Sequence, residues 1–498
     1  MLNKEILRDL FIFEMANNHQ GSVDHGVDII SEIAKISRKH NIKAGVKLQY
    51  RDLDSFIHPD FRNRDDIKHI QRFLSTRLSP NEYQLLVNKI VEENLIPICT
   101  PFDEESVSLC LDHGIRIIKV ASCSTDDWPL LTEIAAANKP VIISTAGTTL
   151  SGIDKIYNFF THRDVNFALM HCIGLYPTPD NIVQMDFIER LKNRYPHVPI
   201  GYSGHEAPDN YNVVKVAVAK NVDILERHVG IETDAIKLNS YSMNPEQVNK
   251  WVESAIKAKE ISKLKNPDKY IRQEEIDSLN SLKRGIYAAR SIEKGEVISR
   301  EDVFFAMPLQ KKQTKSGDYN PEMVASKHYE ANEPVLENSK EDIIKLVRTV
   351  IHDFKGMFFE SKIPLGNNFA VELSHHYGME RFRQYGALLI NMVNREYCKK
   401  YIAVLPSQEH PVHHHKIKEE TFQLLYGDLQ ITLAGKKIEM KPGDIVVVER
   451  GVPHSFTSVN GAIFEEISTT HVKDDSYYED QNIACLDPII RKTILENW

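Results

Sequence analysis

Short apolar runs alternate with amphipathic stretches from Leu10 to about Leu264. The runs are rich in valine and isoleucine, as buried parallel strands are, and each intervening stretch is long enough for a crossover helix. Eight such units in succession predict a (β/α)8 barrel, an α/β fold. We predict its strands at Leu10–Met15, Ala44–Gln49, Leu95–Cys99, Ile115–Val120, Val141–Ser144, Asn166–His171, Val198–Tyr202 and Val222–His228.

Two histidines follow the last two predicted strands at matched positions. His205 comes after the run Val198–Ile200, His228 ends the run that begins at Val222, and the stretch from Asn210 to Lys220 has the pattern of a helix. Carboxyl ends of neighbouring barrel strands meet at one face, so the two imidazoles converge there. Such a pair suits a divalent transition metal. The alternative is that each histidine is an ordinary polar residue of the barrel mouth; the matched positions favour the metal.

Other polar residues also crowd the predicted carboxyl ends of the strands. Lys47 and Lys119 are each flanked by apolar residues, and a Gly-containing turn follows Ser144. Ammonium groups and backbone N–H donors that converge in this way bind phosphate or carboxylate. A structural salt bridge is the alternative for either lysine taken singly. The pattern therefore predicts an anionic substrate beside a metal, with further polar candidates at Glu14, Asn17, Asn18, His19, Gln49, Thr100, Ser122, Ser144, His171, Tyr176, Ser203 and Glu226.

Composition narrows the class of protein. The chain of 498 residues is 42% hydrophobic and 26% charged, which is ordinary for a globular protein of about three domains. Its net charge of −9, without a lysine and arginine block, argues against nucleic acid as a partner. No apolar stretch approaches the ~20 residues of a membrane span, and the charged first residues argue against a signal peptide. The 6 cysteines form no CxxC pair, which fits a reducing cytoplasm.

A second region begins after a charged connector at Gln273–Leu282. From Lys283 onwards the sequence has short alternating runs and a turn signal at Lys294–Gly295. This pattern predicts a small mixed fold of roughly 60 residues. The stretch Glu341–Ile351 then predicts a connecting helix.

The last region carries a histidine-rich motif. The run from His410 to Gly427 resembles the first cupin motif, HxH(x)4E(x)6G, through His413, His415 and Glu420, and His454 after a Pro–Gly–Asp turn resembles the second. His413 and His415 alternate onto one face of a strand, and we expect Glu420 and His454 on neighbouring strands. Four such ligands predict a second divalent metal site in an all-β cupin barrel. The alternative is a cupin that keeps the fold without the ion. His414 is expected to point away from the site.

Eight motifs of the barrel resemble, in order, those of the sialic acid synthase family. They are Glu14–Met–Ala–Asn–Asn–His–Gln–Gly, Val46–Lys–Leu–Gln, Cys99–Thr–Pro–Phe–Asp, Ile118–Lys–Val–Ala–Ser, Ile143–Ser–Thr–Ala–Gly, His171–Cys–Ile–Gly–Leu–Tyr–Pro–Thr–Pro, Gly201–Tyr–Ser–Gly–His and Glu226–Arg–His. This resemblance implies condensation of phosphoenolpyruvate with an aldose, typically an N-acylhexosamine, to a nonulosonic acid and phosphate.

The resemblance also implies roles for individual residues. His205 and His228 resemble the metal ligands, usually of Mn²⁺, with Mg²⁺ and Co²⁺ as alternatives. Glu14 and Glu226 resemble the catalytic carboxylates, Glu14 being assigned proton transfer, and Tyr176 resembles a residue on the sugar side. The positions that resemble the phosphoenolpyruvate site are Lys47, Gln49, Thr100, Lys119, Ser122, Ser144 and Ser203.

The sequence departs from the common bacterial pattern on the sugar side. Gly204 stands where an aspartate is usual, Gly174 where an asparagine is usual, and Leu238 where another aspartate is expected. The Gly–Tyr–Ser–Gly–His form resembles the animal branch, which takes a 6-phosphorylated sugar. Met307 replaces an arginine before Pro308 in the second region. The aldose, and whether it is phosphorylated, therefore stays open.

The resemblance gives the domain plan. We predict a synthase barrel at 1–272, an antifreeze-like (SAF) lid domain at 283–345 and a cupin at 360–475. In the resembling synthases the lid covers the partner subunit's site, which implies a domain-swapped homodimer. The cupin either isomerises or epimerises a sugar, or serves as a sugar-binding or dimerisation module without chemistry; fold likeness does not decide between these.

Overall fold

The computed structural model describes residues 4–64, 66–262, 269–336, 343–366, 369–472 and 474–495. The chain divides into two compact units, Met1–Tyr270 and Ile271–Trp498. Within the described residues, no helix combines the length and the apolar character needed to cross a membrane.

The first unit contains a closed barrel whose eight described strands are parallel and neighbour one another in sequence order. The predicted barrel is confirmed, with strand ends shifted by at most two residues. Its register sets Glu14 level with Lys47 on one side and with His228 on the other. The strands are β1 Leu10–Glu14, β2 Lys43–Tyr50, β3 Ile96–Pro101, β4 Ile117–Val120, β5 Val141–Ser144, β6 Phe167–Cys172, β7 Ile200–Gly204 and β8 Ile224–His228.

Helices follow the strands, and several of them begin after a residue whose side chain caps the first turn. Ser79, for example, forms a capping box with Glu82 at the start of one helix. The helix predicted at Asn210–Lys220 is observed at Asn212–Ala219. The helices of the first unit are α1 Val23–His40, α2 Leu53–Phe56, α3 Lys68–Ser75, α4 Pro80–Glu92, α5 Glu104–Asp112, α6 Trp128–Ala136, α7 Leu150–Thr161, α8 Asp186–Arg194, α9 Asn212–Ala219 and α10 Pro245–Ser262.

The barrel interior is apolar at its amino end and polar at its carboxyl end. Ile12, Ile98, Ile142 and Met170 belong to one fully buried cluster inside the barrel. A larger apolar cluster joins the outer faces of the strands to the helices. The apolar filling therefore closes the barrel from below, and the charged side chains at the strand ends lie above it.

The second unit begins with helix α11 (Gln273–Leu282) where the sequence suggested a connector. Acidic residues Glu274 and Glu275 in its first turn favour a helix start, which explains the difference. Strands β9 (Gly285–Ala288) and β10 (Val303–Ala306) then pair antiparallel around a core that includes Ile292 and Tyr329. Helix α12 (Ile343–Ser361) follows; the predicted start of this helix, Glu341, lies outside the described residues.

Two facing sheets form the all-β part of the second unit, as predicted for a cupin. One sheet has the order β18-β15-β20-β13-β12-β11-β22 and the other β17-β16-β19-β14-β21. The strands are β11 Ala370–His375, β12 Gly386–Asn394, β13 Tyr397–Val404, β14 Glu409–His414, β15 Glu420–Gly427, β16 Leu429–Leu433, β17 Lys436–Met440, β18 Ile445–Val448, β19 His454–Thr457, β20 Ala462–Thr469, β21 Tyr477–Tyr478 and β22 Lys492–Leu495, with a short helix α13 at Gln481–Ala484. The predicted domain limits 1–272, 283–345 and 360–475 stay a prediction.

One expectation about this region is confirmed for one residue and wrong for the other. Both Glu420 and His454 were expected on strands that neighbour the strand of His413 and His415, but β15, which carries Glu420, belongs to the other sheet. His413 is the residue that pairs with His454, between β14 and β19. The Glu420 carboxylate thus reaches the histidines across the space between the two sheets. The spacing of residues in the sequence does not show which sheet a strand joins.

Candidate active site and metal centres

Glu226 is the centre of a buried charge cluster in the barrel. Lys119 Nζ lies 2.8 and 2.9 Å from its two carboxylate oxygens, and Lys47 Nζ lies 3.0 Å from Oε1. Ser203 donates a hydrogen bond of 2.7 Å to the same oxygen. Lys47 also forms an ion pair with Glu14. The cluster brings together residues from five strands, so two positive and two negative side chains share one water-poor pocket.

The environment sets the ionisation of this cluster. Burial would raise the pKa of Glu226, but the charges of Lys119 and Lys47 outweigh it and hold that pKa well below its usual range. Burial, which outweighs the pull of Glu226, lowers the pKa of Lys119 to about 8. Burial also raises the pKa of Glu14 despite Lys47 beside it. Glu14 is therefore the carboxyl whose proton is easiest to retain, which suits proton transfer.

Apart from Ser203, the predicted hydroxyl and amide groups do not bond to this cluster within the described residues. Thr100 on β3 is buried, and its hydroxyl has no hydrogen-bond partner among the described residues. Ser122 Oγ accepts from the backbone N–H of Ala146 at 3.1 Å, and Ser144 is buried at the end of β5. Gln49 on β2 accepts from Arg51. These groups are positioned as donors for a ligand that the charge cluster attracts.

The histidine pair occupies the same face of the barrel. The ring centroids of His205 and His228 are 5.3 Å apart, and Tyr176 packs 4.1 Å from His205. His205 Nδ1 is 3.1 Å from the carbonyl oxygen of Ile173, which leaves Nε2 to bind a ligand. Burial lowers the pKa of His205 to about 4, so the imidazole is neutral at pH 7. The pKa of His228 is likewise well below its usual value. Burial is the largest cause, and the neighbouring His205 is the second. Two neutral, fixed imidazoles fit a divalent ion.

The structure adds residues to this face that sequence patterns did not single out. Tyr241, from the loop after β8, packs 5.0 Å from the His228 ring and 5.0 Å from Tyr176. Glu206 and Arg227 form a fully buried ion pair directly behind the histidines. The only hint of the pair in the sequence was that each charged residue adjoins a predicted metal ligand; Tyr241 had no signal at all.

Three histidines of the second unit converge more tightly. One ring nitrogen from each of His413, His415 and His454 lies within 4.8 Å of the others, the one such group among the described residues. Their Nδ1 atoms lie 3.1, 2.5 and 3.1 Å from backbone carbonyl oxygens. Nε2 of His415 and of His454 is buried without a hydrogen-bond partner among the described residues. The backbone carbonyls fix the rings through Nδ1 and leave Nε2 directed towards a common point. Histidines that bind a metal are held in the same way.

The predicted fourth ligand lies beside this triad. Glu420 Oε2 is 3.1 Å from His454 Nε2, and Oε1 is 3.5 Å from His415 Nε2. Lys418 forms an ion pair with Glu420 and lies 3.2 Å from Glu466. The charge of Lys418 offsets burial and holds the pKa of Glu420 well below its usual range. The carboxylate is thus ionised and available to a cation.

A cavity of about 440 Å³ opens in front of the triad, between the two sheets. His413 and His415 of the triad line it, together with Lys400, Lys418 and Glu466, all buried, and with Phe422 and Phe456. Sequence analysis missed these three charged residues. Lys418 stands two positions before Glu420 and therefore on the same face of the extended chain, which is the signal that would have identified it. His414 lies outside the triad and stacks on Tyr477, as expected.

Comparisons with known proteins agree with this division. Residues 37–266 match the model of the NeuB family, and residues 400–464 match the model of the cupin domain. The crystal structure of a spore coat polysaccharide biosynthesis protein E from Chromobacterium violaceum is 44% identical, with a TM-score of 0.64; the match covers 66% of this chain and 98% of that one.

Curated relatives are more distant. The N-acetylneuraminate-9-phosphate synthase of Drosophila melanogaster is 28% identical over 329 residues, 59% of this chain and 85% of the fly protein. The N,N'-diacetyllegionaminic acid synthase of Campylobacter jejuni is 23% identical over 346 residues, 66% of this chain and 99% of that one.

Proposed function

The chain belongs to the NeuB family, and on this premise we propose that its barrel condenses phosphoenolpyruvate with an aldose. The products are a 3-deoxy-2-ulosonic acid and phosphate, so the protein is a carbon–carbon bond-forming transferase. The observation that carries this proposal is the buried cluster of Lys47, Lys119, Glu14 and Glu226 beside His205 and His228. The charged residues and the histidine pair each have a chemical task in that reaction.

The lysines serve the anionic substrate. In the structure their charges are balanced by Glu14 and Glu226. Phosphoenolpyruvate carries a carboxylate and a phosphate, which compete for the same ammonium groups and for the donors of Thr100 and Ser122. The π electrons between carbons 2 and 3 of phosphoenolpyruvate form a bond from carbon 3 to the aldehyde carbon of the sugar. The aldehyde π bond opens and its oxygen takes up a proton from solvent, and carbon 2 is left cationic. Water then adds at carbon 2, Glu14 takes its proton, and phosphate leaves from the tetrahedral intermediate.

We assign a divalent ion, expected to be Mn²⁺, to His205 and His228. When bound it polarises the aldehyde oxygen as a Lewis acid. His205 and His228 would hold this ion through ring nitrogens that burial keeps neutral. Tyr176 and Tyr241 border these imidazoles and form the side of the pocket that faces the sugar.

Phosphate release tests the proposal. The full-length protein, with Mn²⁺ and phosphoenolpyruvate, is given aldoses with and without an N-acyl group and a 6-phosphate. We expect release with at least one sugar and a fall of about 100-fold or more in kcat/KM for His228→Ala and Lys119→Met. His413→Ala, which removes a histidine of the other unit, is the matched control and should retain the activity. No release with any aldose would contradict the proposal.

The cupin supports a second candidate function, acid–base chemistry on the sugar. The specific observation in its favour is a set of buried charges that a simple binding module does not need. Glu466 lies 3.2 Å from Lys418 and 3.9 Å from Lys400, and Ser468 donates to it at 2.8 Å. With a divalent ion on His413, His415, Glu420 and His454, this carboxylate would face a ligand in the same cavity. That arrangement suits proton transfer between adjacent carbons of an aldose or a ketose.

Paired substrates separate this candidate from a binding or dimerisation role. His415→Ala, Glu420→Gln and Glu466→Gln are assayed for condensation with a pre-formed aldose and with its ketose or epimeric isomer. Isomerisation in the cupin predicts activity with the aldose and loss with the isomer. Equal losses with both, or none with either, would exclude it.

The lid domain and the domain-swapped homodimer remain expectations that come from the family. Light scattering of the full-length protein tests whether it is a dimer.

A further inference from the structure

Arg51 is held in an aromatic clamp at the mouth of the barrel. Its guanidinium carbon lies 3.6 Å from the ring centroid of Phe102 and 4.1 Å from that of Phe73, with Phe56 at 5.9 Å. Rings this close to the guanidinium stack on it and fix its orientation. Only the edge of the planar group is left to make hydrogen bonds.

Among the residues that the structure describes, the charge of Arg51 has no ionic partner. Nη2 donates to Gln49 Oε1 at 3.0 Å, a neutral acceptor, and Nε is buried without a hydrogen bond. Among the described residues, no carboxylate lies within ion-pair distance of it, whereas Arg77, in the same connection between β2 and β3, forms an ion pair of 2.8 Å with Asp54. Burial, the largest effect, lowers the pKa of Arg51 to about 10, which still leaves it charged at pH 7. A largely buried cation without a counter-charge is costly unless a ligand supplies one.

The position of Arg51 relates it to the substrate path. Lys47, Gln49 and Arg51 are alternate residues of β2 and its extension, so their side chains leave the strand on one side. With about 3.3 Å per residue, Arg51 starts roughly 13 Å beyond Lys47 towards the mouth. Lys47 and Lys119 are matched in charge by Glu14 and Glu226 and serve phosphoenolpyruvate. Arg51 is a further cation on this path, and no carboxylate of the described residues pairs with it.

We propose that Arg51 is an anion subsite for the end of the aldose remote from its aldehyde, so that the sugar substrate is a phosphate monoester or a uronate. This proposal rests on the condensation proposed above and names the class of its second substrate. An aldose whose carbon 1 reacts near the histidines extends its carbon 6 towards the mouth. A planar guanidinium with a fixed edge donates two parallel hydrogen bonds to a phosphate or carboxylate there. Its bond to Gln49 fixes the orientation of that amide.

Calorimetric binding tests the subsite without requiring turnover. Mannose 6-phosphate, mannuronate and mannose are titrated into the metal-depleted full-length protein, into Arg51→Met and into Arg51→Lys. Methionine keeps an apolar stem between the rings and removes the charge, and lysine keeps the charge without the planar fork. Arg77→Met, which removes a paired arginine from the same loop, is the matched control. The thermal midpoint of each variant confirms that it is folded.

We expect one of the two anionic sugars to bind wild-type protein about tenfold or more tightly than Arg51→Met, with mannose unchanged. Arg51→Lys should fall between them and Arg77→Met should match wild type. Loss confined to mannose 6-phosphate identifies a phosphate subsite, and loss confined to mannuronate identifies a carboxylate subsite. Equal binding of both anions to wild type and Arg51→Met, or no binding to either, overturns the proposal. Phosphate release from phosphoenolpyruvate is measured separately, so failure of the synthase proposal is distinguishable from failure of the subsite.

Discussion

At position 204 the chain has no room for the aspartate that is usual in resembling synthases. A Cβ on Gly204 would lie 2.5 Å from Oε2 of Glu206 and 2.9 Å from the Tyr202 ring. The Glu206 carboxylate cannot move aside easily, because Arg227 forms an ion pair with it and the Tyr202 hydroxyl donates to it at 3.0 Å. The carboxyl group on this side of His205 is therefore supplied from position 206 instead of 204.

We accordingly expect Gly204→Asp to damage the protein instead of restoring the common pattern. The new side chain overpacks a buried site and places a second negative charge against Glu206, which should cost about 3 kcal/mol or more. Thermal and urea denaturation of the full-length protein measure the loss. Gly317→Asp, at a glycine with open space around its Cβ, is the control and should unfold like wild type. Unchanged stability of Gly204→Asp would show that Glu206 is not fixed as described.

Single site residues were predictable where they stand in or directly after an apolar run that indicates a strand. Lys47, Lys119 and Glu226 follow or interrupt apolar runs, so their convergence follows from barrel topology alone. Arg51 and Glu466 gave no comparable signal, because a charged residue in a loop or in an alternating strand is usually solvent-exposed. Their burial arises from contacts between elements far apart in sequence: Glu466, on β20, meets Lys418, which lies two residues before β15.

The loop after β1 shows how an element imposes a protonation state. His19 is 1% exposed, its Nδ1 accepts from the backbone N–H of Gly21 at 3.1 Å, and its Nε2 has no partner among the described residues. Burial, followed by the nearby His25, lowers the pKa of His19 from 6.5 to about 4. The folded loop therefore holds this ring in the neutral form.

This shift predicts that acid destabilises the barrel through His19. Between the folded and unfolded pKa values the unfolded chain binds more protons, so stability is complete above about pH 6.5 and falls as the pH drops towards 4. At about pH 5 the His19 contribution to the loss should be roughly 2 kcal/mol. His19→Asn retains an acceptor for Gly21 and cannot titrate. The difference in unfolding free energy between about pH 7 and pH 5 should thus shrink by that amount in the variant; an unchanged difference would contradict the assignment.

The arrangement of strands was predictable where neighbours in the sequence are also neighbours in the sheet. The barrel strands are continuous apolar runs joined by helices, and right-handed crossovers then leave one arrangement. The cupin strands alternate in polarity, which identifies a two-faced sheet but not which strand neighbours which. This is why Glu420 was wrongly expected on a strand that neighbours the strand of His413, whereas His454 does lie on such a strand and the motif correctly predicted that Glu420 lies near the histidines.

At the scale of the whole molecule, the chain carries two candidate metal centres of different design. The barrel offers two imidazoles with open positions, which is the form of a catalytic site completed by substrate. The cupin offers three imidazoles with a carboxylate beside them, a more complete set of candidate ligands. The two sets belong to separate compact units.

We therefore predict that metal binding at the two centres is independent and unequal in strength. After loading with Mn²⁺ and dialysis, elemental analysis of the full-length protein should find about one tightly held ion, and about two when phosphoenolpyruvate is present during dialysis, because the barrel set has fewer protein ligands. His413→Ala should remove the tightly held ion and leave phosphate release intact, whereas His228→Ala should remove only the second. His414→Ala, in the same histidine run but stacked on Tyr477 outside the triad, should keep both ions. A single variant that lost both ions would show that the two centres depend on each other, because neither set shares a ligand with the other.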